Sequence, residues 1–219
     1  MKFYTNVFNQ IIAPENLFWA WEEFKCGKMK KVDVLEFESR LEQNIFELHR
    51  DLRYHRYKHD VYYSFMISDP KQRQIHKATV RDRVLYHAIF RALNPLFEPT
   101  FIADSFSCRI GKGNHRGNEQ ISRYIRKVSK NYTKKCFVLK CDIKKFFDSV
   151  NHLILLELIK RKIKDQNFHL LIEEIVGSFT IKTAPVIQFG LFGGETERER
   201  ERESRGLRPL LTEAFLSAT

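Results

Sequence analysis

Apolar and polar positions alternate along this chain with two different periods. Asp33 and Glu36 form an Asp-x-x-Glu capping signal, followed by Val34, Phe37, Leu41, Ile45, Leu48 and Leu52 at helical spacing. That pattern predicts one amphipathic helix of about five turns. Residues 61–67, VYYSFMI, read as a strand, Asp69-Pro70 turns the chain, and 73–78, RQIHKA, read as the returning strand. A helix is predicted from Asp82 to Leu96, with Val84, Leu85, Ala88, Ile89, Ala92 and Leu93 inside, closing near Pro95. Gly111-Lys112-Gly113 punctuates a loop before a basic helix, roughly Asn114 to Lys130. CFVLKCDI, 136–143, is the best strand pattern in the chain. Alternation puts Phe137, Leu139, Cys141 and Ile143 on one face and Val138, Lys140 and Asp142 on the other. Two apolar-periodic helices follow, one carrying Val150, Ile154, Leu158 and Ile159, the other Phe168, Leu171, Ile172, Ile175 and Val176. The fold class expected is therefore α+β and helix-rich.

Composition narrows the class of partner. The 219 residues are 43% hydrophobic with 19 Phe, enough apolar surface to bury a core over most of the length. Lys plus Arg is 38 against 27 acidic residues, a net charge of +11. A globule this basic meets a polyanion, more often nucleic acid than a membrane surface. Residues 195–219 hold five Arg and six Glu, which leaves residues 1–194 with 33 basic and 21 acidic side chains, a net of +12. The strict Glu/Arg alternation that opens this tail reads as a solvated or disordered charged segment. A GA-dinucleotide repeat also translates as alternating Glu and Arg, and slippage in it would put the residues beyond out of frame. Cys26, Cys108, Cys136 and Cys141 lack Cys-x-x-Cys or finger spacing, so reduced thiols are expected rather than a zinc site or disulfides. No run approaches the roughly 18–20 apolar residues of a membrane span. The expectation is a soluble, cytoplasmic chain with no membrane partner.

The chemistry concentrates in KCDIKKFFDSVNH, 140–152. An acidic side chain at the end of an apolar strand, between lysines and before two Phe, is costly to place without a partner. It can hold a divalent cation; read by itself it can equally make a local hydrogen bond at a strand end. Phe147 reads as a core residue when taken alone, and Lys71 with Arg73 as a solvated turn.

KCDIKKFFDSVNH resembles the first palm motif of bacterial reverse transcriptases, those of group II introns and diversity-generating retroelements. DSFSCRIGKGNHRG, 104–117, resembles the motif before it, and DPKQRQIHKATVRDRVLYHAI, 69–89, resembles the fingers motif. The three stand in the family's order. The resemblance implies template-directed nucleotidyl transfer: an RNA-directed DNA polymerase using RNA template, DNA primer, deoxynucleoside triphosphates and Mg2+. It implies that Asp142 is the first metal-binding aspartate and that the Ile143 carbonyl is a backbone metal ligand. Phe147 becomes the aromatic that excludes a 2′-hydroxyl, with Lys145 and Phe146 facing the triphosphate through their amides and Lys71 and Arg73 clamping it. Arg81, Arg109, Lys112, His115, Lys140 and Lys144 become contacts to nucleic acid, positioning it without reading sequence.

The same resemblance marks what is missing. Two-metal transfer needs carboxylates on two adjacent palm strands, the second in the family being a Tyr-x-Asp-Asp hairpin. These 219 residues contain no Asp-Asp dipeptide, and only Gln188 to Phe192 suggests the Gln-containing motif that precedes it. The expected organisation is a helical N-terminal arm (1–60), fingers (61–135), a partial palm (136–194) truncated before its second half, and the Glu/Arg tail (195–219). Activity of this chain alone is not expected, and a non-catalytic RNA-binding remnant or module is the alternative.

Overall fold

The computed structural model describes residues 3–68, 72–143 and 146–179. Its elements run α1 (Val7–Ile12), α2 (Pro14–Lys25), α3 (Val32–Ser39), α4 (Leu41–Arg53), β1 (Tyr63–Ser68), β2 (Gln72–Lys77), α5 (Val80–Phe97), a single 3-10 turn (Glu98–Thr100), α6 (Asn114–Val128), α7 (Phe146–Ser149), α8 (His152–Lys162) and α9 (Gln166–Ser178). The fold is helix-rich α+β, with a two-stranded antiparallel sheet among the described residues.

The core is built around α5. Thr79 caps this helix, its hydroxyl accepting from the Asp82 amide. Its apolar positions Val84, Leu85, Ala88, Ile89, Leu93 and Phe97 are all buried. Pro14 starts α2 in the first turn, where its missing N–H costs nothing. Leu17, Ala20, Trp21 and Phe24 then recur at i, i+3, i+4 and i+7, so one face of α2 is fully buried on α5. The antiparallel pair α8–α9 joins the same apolar cluster through Leu155, Ile159, Phe168, Leu171, Ile172 and Ile175. A parallel bridge between Tyr4 and Ile163 ties the start of the described chain to the α8–α9 turn. Asp165 strengthens that tie: it caps α9 at the Phe168 amide (3.2 Å) and accepts from the Phe8 amide at 2.8 Å.

Three expectations are corrected. The single helix read over 33–52 is two helices, α3 and α4, broken at Arg40 (φ −130°, ψ 37°). Asn44 donates to the Phe37 carbonyl at 2.9 Å there, satisfying a group that the break frees. Asp33 does not cap: its carboxylate turns instead to Lys77 (3.1 Å) and Arg83 (2.7 Å), tying α3 to the hairpin and to α5. The helix expected from Asp82 to Leu96 is found as Val80–Phe97, ending within one residue of the reading, with Pro95 inside its last turn.

The third correction is the largest. Residues 136–143 form no strand; Phe137 is 93% exposed and Leu139 87%, and Ile143 is exposed with them. A strand exists only through its ladder, and among the described residues no other strand lies beside this one. An alternating pattern cannot by itself supply the partner that a strand needs.

The hairpin itself matches the sequence reading within two residues. Tyr63 pairs with Lys77 and Ile67 with Arg73, and Ser64 and Ile67 are buried. Lys71, Lys144, Lys145, the possible motif remnant at 188–192 and the Glu/Arg tail lie outside the described residues.

Candidate nucleic-acid and nucleotide interface

The hairpin stands on a buried polar network at the start of α5. Asp82 is fully buried and accepts from the Tyr57 hydroxyl (2.7 Å), the Thr79 hydroxyl (2.7 Å) and the Asp60 amide (3.3 Å). Burial, then the Asp82 charge, drives the Tyr57 phenol far above its ordinary value, so its proton stays on and donates. His59 stacks on Tyr62, and its Nε2 meets the Tyr86 hydroxyl and lies 3.8 Å from Asp82. Burial also pushes the Tyr86 phenol well up. Tyr62 reaches on to Ser178 at the end of α9, 3.3 Å away. The network thus fixes the hairpin base against both α5 and α9.

Arg81 belongs to this scaffold. One guanidinium nitrogen donates to Asp51 (2.9 Å), another to the Lys58 carbonyl (3.2 Å), and the plane lies over the Tyr57 ring. Arg109 is held likewise. It pairs with Glu98 (2.8 Å), donates to the Ile102 and Ser105 carbonyls, and covers Phe101. Lys112 reaches the Ala103 carbonyl and sits over Phe106. Arg109 and Lys112 therefore shape the 101–113 loop in this structure. Gly113 closes it at φ 105°, a left-handed angle that suits glycine, and α6 starts at the next residue.

The other candidate residues are open to solvent. His115 is exposed at the start of α6, and Lys140, Asp142 and Ile143 are exposed along the extended segment. Phe146 begins α7 and is half-buried. Arg73 lies on β2 opposite Ile67, and Phe147 lies within α7. Among the described residues, no three His, Cys, Asp or Glu side chains group to hold a metal. Magnesium asks for about six oxygens. The Asp142 carboxylate and Ile143 carbonyl can offer only part of that set, so the described residues do not by themselves fit a two-metal site.

Residues 114–141 are where the positive charge lies uncompensated. Eight Lys and Arg stand there against Glu119 alone, a net of +7 in 28 residues. The sequence reading gave a basic helix over roughly Asn114 to Lys130 but did not single out Arg116, Arg123, Arg126 and Lys127. The 3.6-residue period of α6 was the signal that could have found them. It missed the buried network as well, although Thr79 and Asp82 carry a Thr-x-x-Asp capping signal in plain sequence.

No family model matches the chain. A stretch of 130 residues, 59% of the chain, is 28% identical to Protein YkfC of Escherichia coli (strain K12). The match spans 32% of that protein, so the chain corresponds to about a third of this relative's length.

Proposed function

We propose that the chain is a reverse-transcriptase-family protein, an RNA-directed DNA polymerase part that carries the fingers and first palm segment and does not polymerise DNA alone. The observation that carries this reading is the order of three motifs: DPKQRQIHKATVRDRVLYHAI, then DSFSCRIGKGNHRG, then KCDIKKFFDSVNH. Three features of the fold are consistent with it. A hairpin with Arg73 on its second strand stands on a buried polar base. An ordered loop leads into a basic helix. Asp142 lies in an exposed segment that pairs with no strand among the described residues.

In this reading Lys71 and Arg73 bind the triphosphate, where positive charge offsets the charge that develops at the transferring phosphate. Phe147 selects against a 2′-hydroxyl, and Asp142 supplies one carboxylate of a site whose second must come from another segment. The partners are RNA template, DNA primer and deoxynucleoside triphosphates. Purified protein with all three and Mg2+ is expected to give no primer extension; extension abolished by Asp142→Ala overturns the claim of inactivity alone.

The second reading, a non-catalytic RNA-binding module, is favoured by the net +7 of residues 114–141. Deoxynucleotide binding separates the two. Magnesium-dependent binding weakened by Arg73→Ala supports the polymerase part. RNA binding with no deoxynucleotide binding supports the module.

A further inference from the structure

Elsewhere in the described chain several cations have carboxylate partners, whereas Lys30, Arg40, Arg50, Arg53, Arg56 and Lys164 are exposed without one. Lys25 pairs with Glu22, Lys58 with Glu174, Lys160 with Glu173 and Arg161 with Glu157. On α6 and the turn after it, Arg116, Arg123, Arg126, Lys127, Lys130, Lys134 and Lys135 are all exposed, and none pairs with a carboxylate among the described residues. At about 100° per residue, Arg116, Arg123, Arg126 and Lys127 fall within about 100° of one another and span about 17 Å of helix. They form one stripe.

Ile121, Tyr124, Ile125 and Val128 lie on the other side of the helix. That side faces the 101–113 loop: the Tyr124 hydroxyl donates to Asp104 at 2.7 Å, and Phe106 lies against Gly117. The basic stripe, which also carries Glu119, therefore faces away from that loop. Lys130, Asn131 and Tyr132 then take left-handed backbone angles in succession, φ 47°, 57° and 66°. The turn is held by Lys134 donating to the Ser129 carbonyl and Tyr132 to the Ser129 hydroxyl, both at 2.8 Å. It brings Lys130, Lys134 and Lys135 to the same end of the stripe.

We propose that the outward face of α6, continued by the 130–135 turn, is a docking strip for the phosphate backbone of single-stranded RNA. The inference rests on the nucleic-acid partner of the function proposed above and adds where that backbone lies. Its carrier is charge complementarity: a row of cations without internal partners matches a row of phosphates. A membrane surface fits less well, because the apolar side of α6 carries Asp104 against Tyr124 and could enter lipid only with that carboxylate.

The test uses the whole chain and a fluorescently labelled single-stranded RNA, with affinity read by anisotropy over a salt series. One variant carries Arg116→Gln, Arg123→Gln, Arg126→Gln and Lys127→Gln. A control removes four charges that are ion-paired: Lys25→Gln, Lys58→Gln, Lys160→Gln and Arg161→Gln. Each phosphate contact contributes about 0.7 to the slope of log K against log salt for single strands. The stripe variant is expected to flatten that slope by about 3, and Lys134→Gln with Lys135→Gln by about 1, while the control keeps the wild-type slope. None of the four α6 side chains is buried, so an unchanged melting temperature is expected and shows that the variant is folded.

Equal flattening in stripe and control variants overturns the strip, since net charge alone then explains binding. An unchanged slope in the stripe and turn variants, with wild-type RNA affinity intact, overturns the strip and leaves the RNA-binding function standing. Loss of binding to anionic vesicles in the stripe variant, with RNA binding unmoved, assigns the face to lipid and overturns it too. A wild-type chain that binds no RNA overturns both the strip and the function it rests on.

Discussion

Two parts of this chain handle similar residues in opposite ways. In the body, built from α1–α5, α8 and α9, apolar side chains build one buried cluster and several cations find carboxylates. Across the span from the 3-10 turn to the start of α8, no large hydrophobic among the described residues is buried: along the chain the buried core passes from Phe97 directly to Leu155. Ile110 is 90% exposed and Phe137 93%. The difference teaches where each property resides. Stability is vested in the body, and the span presents its charge and its apolar edge outward, as a binding surface does.

The hardest blow to that division falls on the body. Asp82→Ala strips the acceptor from Tyr57, Thr79 and the Asp60 amide, all at a buried site. A loss of about 3–5 kcal/mol is expected in urea unfolding. A loss below about 1 kcal/mol, the scale of an ordinary surface change, means that the network is not what fastens the hairpin to α5.

A pH titration sharpens the same point. Burial, with Lys28 and Arg83 adding repulsion, lowers His87 to about 4 from 6.5. Glu23 lies 4.0 Å away but is shared with Arg91, so it does not reverse the effect. The unfolded chain takes up this proton near pH 6.5 and the folded chain only near pH 4. Stability from His87 is therefore full above 6.5 and falls as pH drops toward 4, by roughly 3 kcal/mol in all. His87→Phe is expected to flatten that part of the profile; an unaltered profile places the sensitive group elsewhere. Asp33 adds a loss at lower pH. Burial raises its carboxyl, but Lys77 and Arg83 together outweigh burial and hold it below its ordinary value.

In the span the expected effects shrink. Gly117→Ala places a methyl at ordinary contact distance from Phe106, 3.4 Å at the nearest atom. Removing glycine from the first turn of α6 is expected to raise its stability by up to about 1 kcal/mol, visible as slower amide exchange in that helix. Faster exchange would mean that Phe106 cannot accept the methyl. Smallest of all, Phe137→Ser with Leu139→Ser is expected to move the melting temperature of the body by no more than its error, within about 0.5 kcal/mol. Self-association by light scattering should fall, and a clear drop in melting temperature would show that the segment packs after all.

Much of the body could be read directly from the order of its residues. The hairpin, α5, α6, α8 and α9 follow from local sequence pattern, and Asn151 and Asp165 cap α8 and α9 with their own side chains. What escaped was long-range. Asp33 looks like a cap until Lys77 and Arg83, more than forty residues on, claim its carboxylate. CFVLKCDI looks like a strand because alternation says nothing about the neighbour that must complete the ladder. Asp142 and the motif around it were plain in the sequence, whereas the charge stripe of α6 emerges only when positions seven and eleven residues apart are wrapped onto one helix.

The clasp between the two ends of the body also has a timetable. Tyr4 donates to the Lys162 carbonyl and accepts from the Lys164 amide, and Phe8 leans on Asp165. A ribosome adding about 5–20 residues each second takes on the order of 8–30 s to travel from Tyr4 to Asp165. For that interval the first-made residues wait without their partners, so the length of nascent chain, rather than the intrinsic speed of helix formation, decides when this body can close.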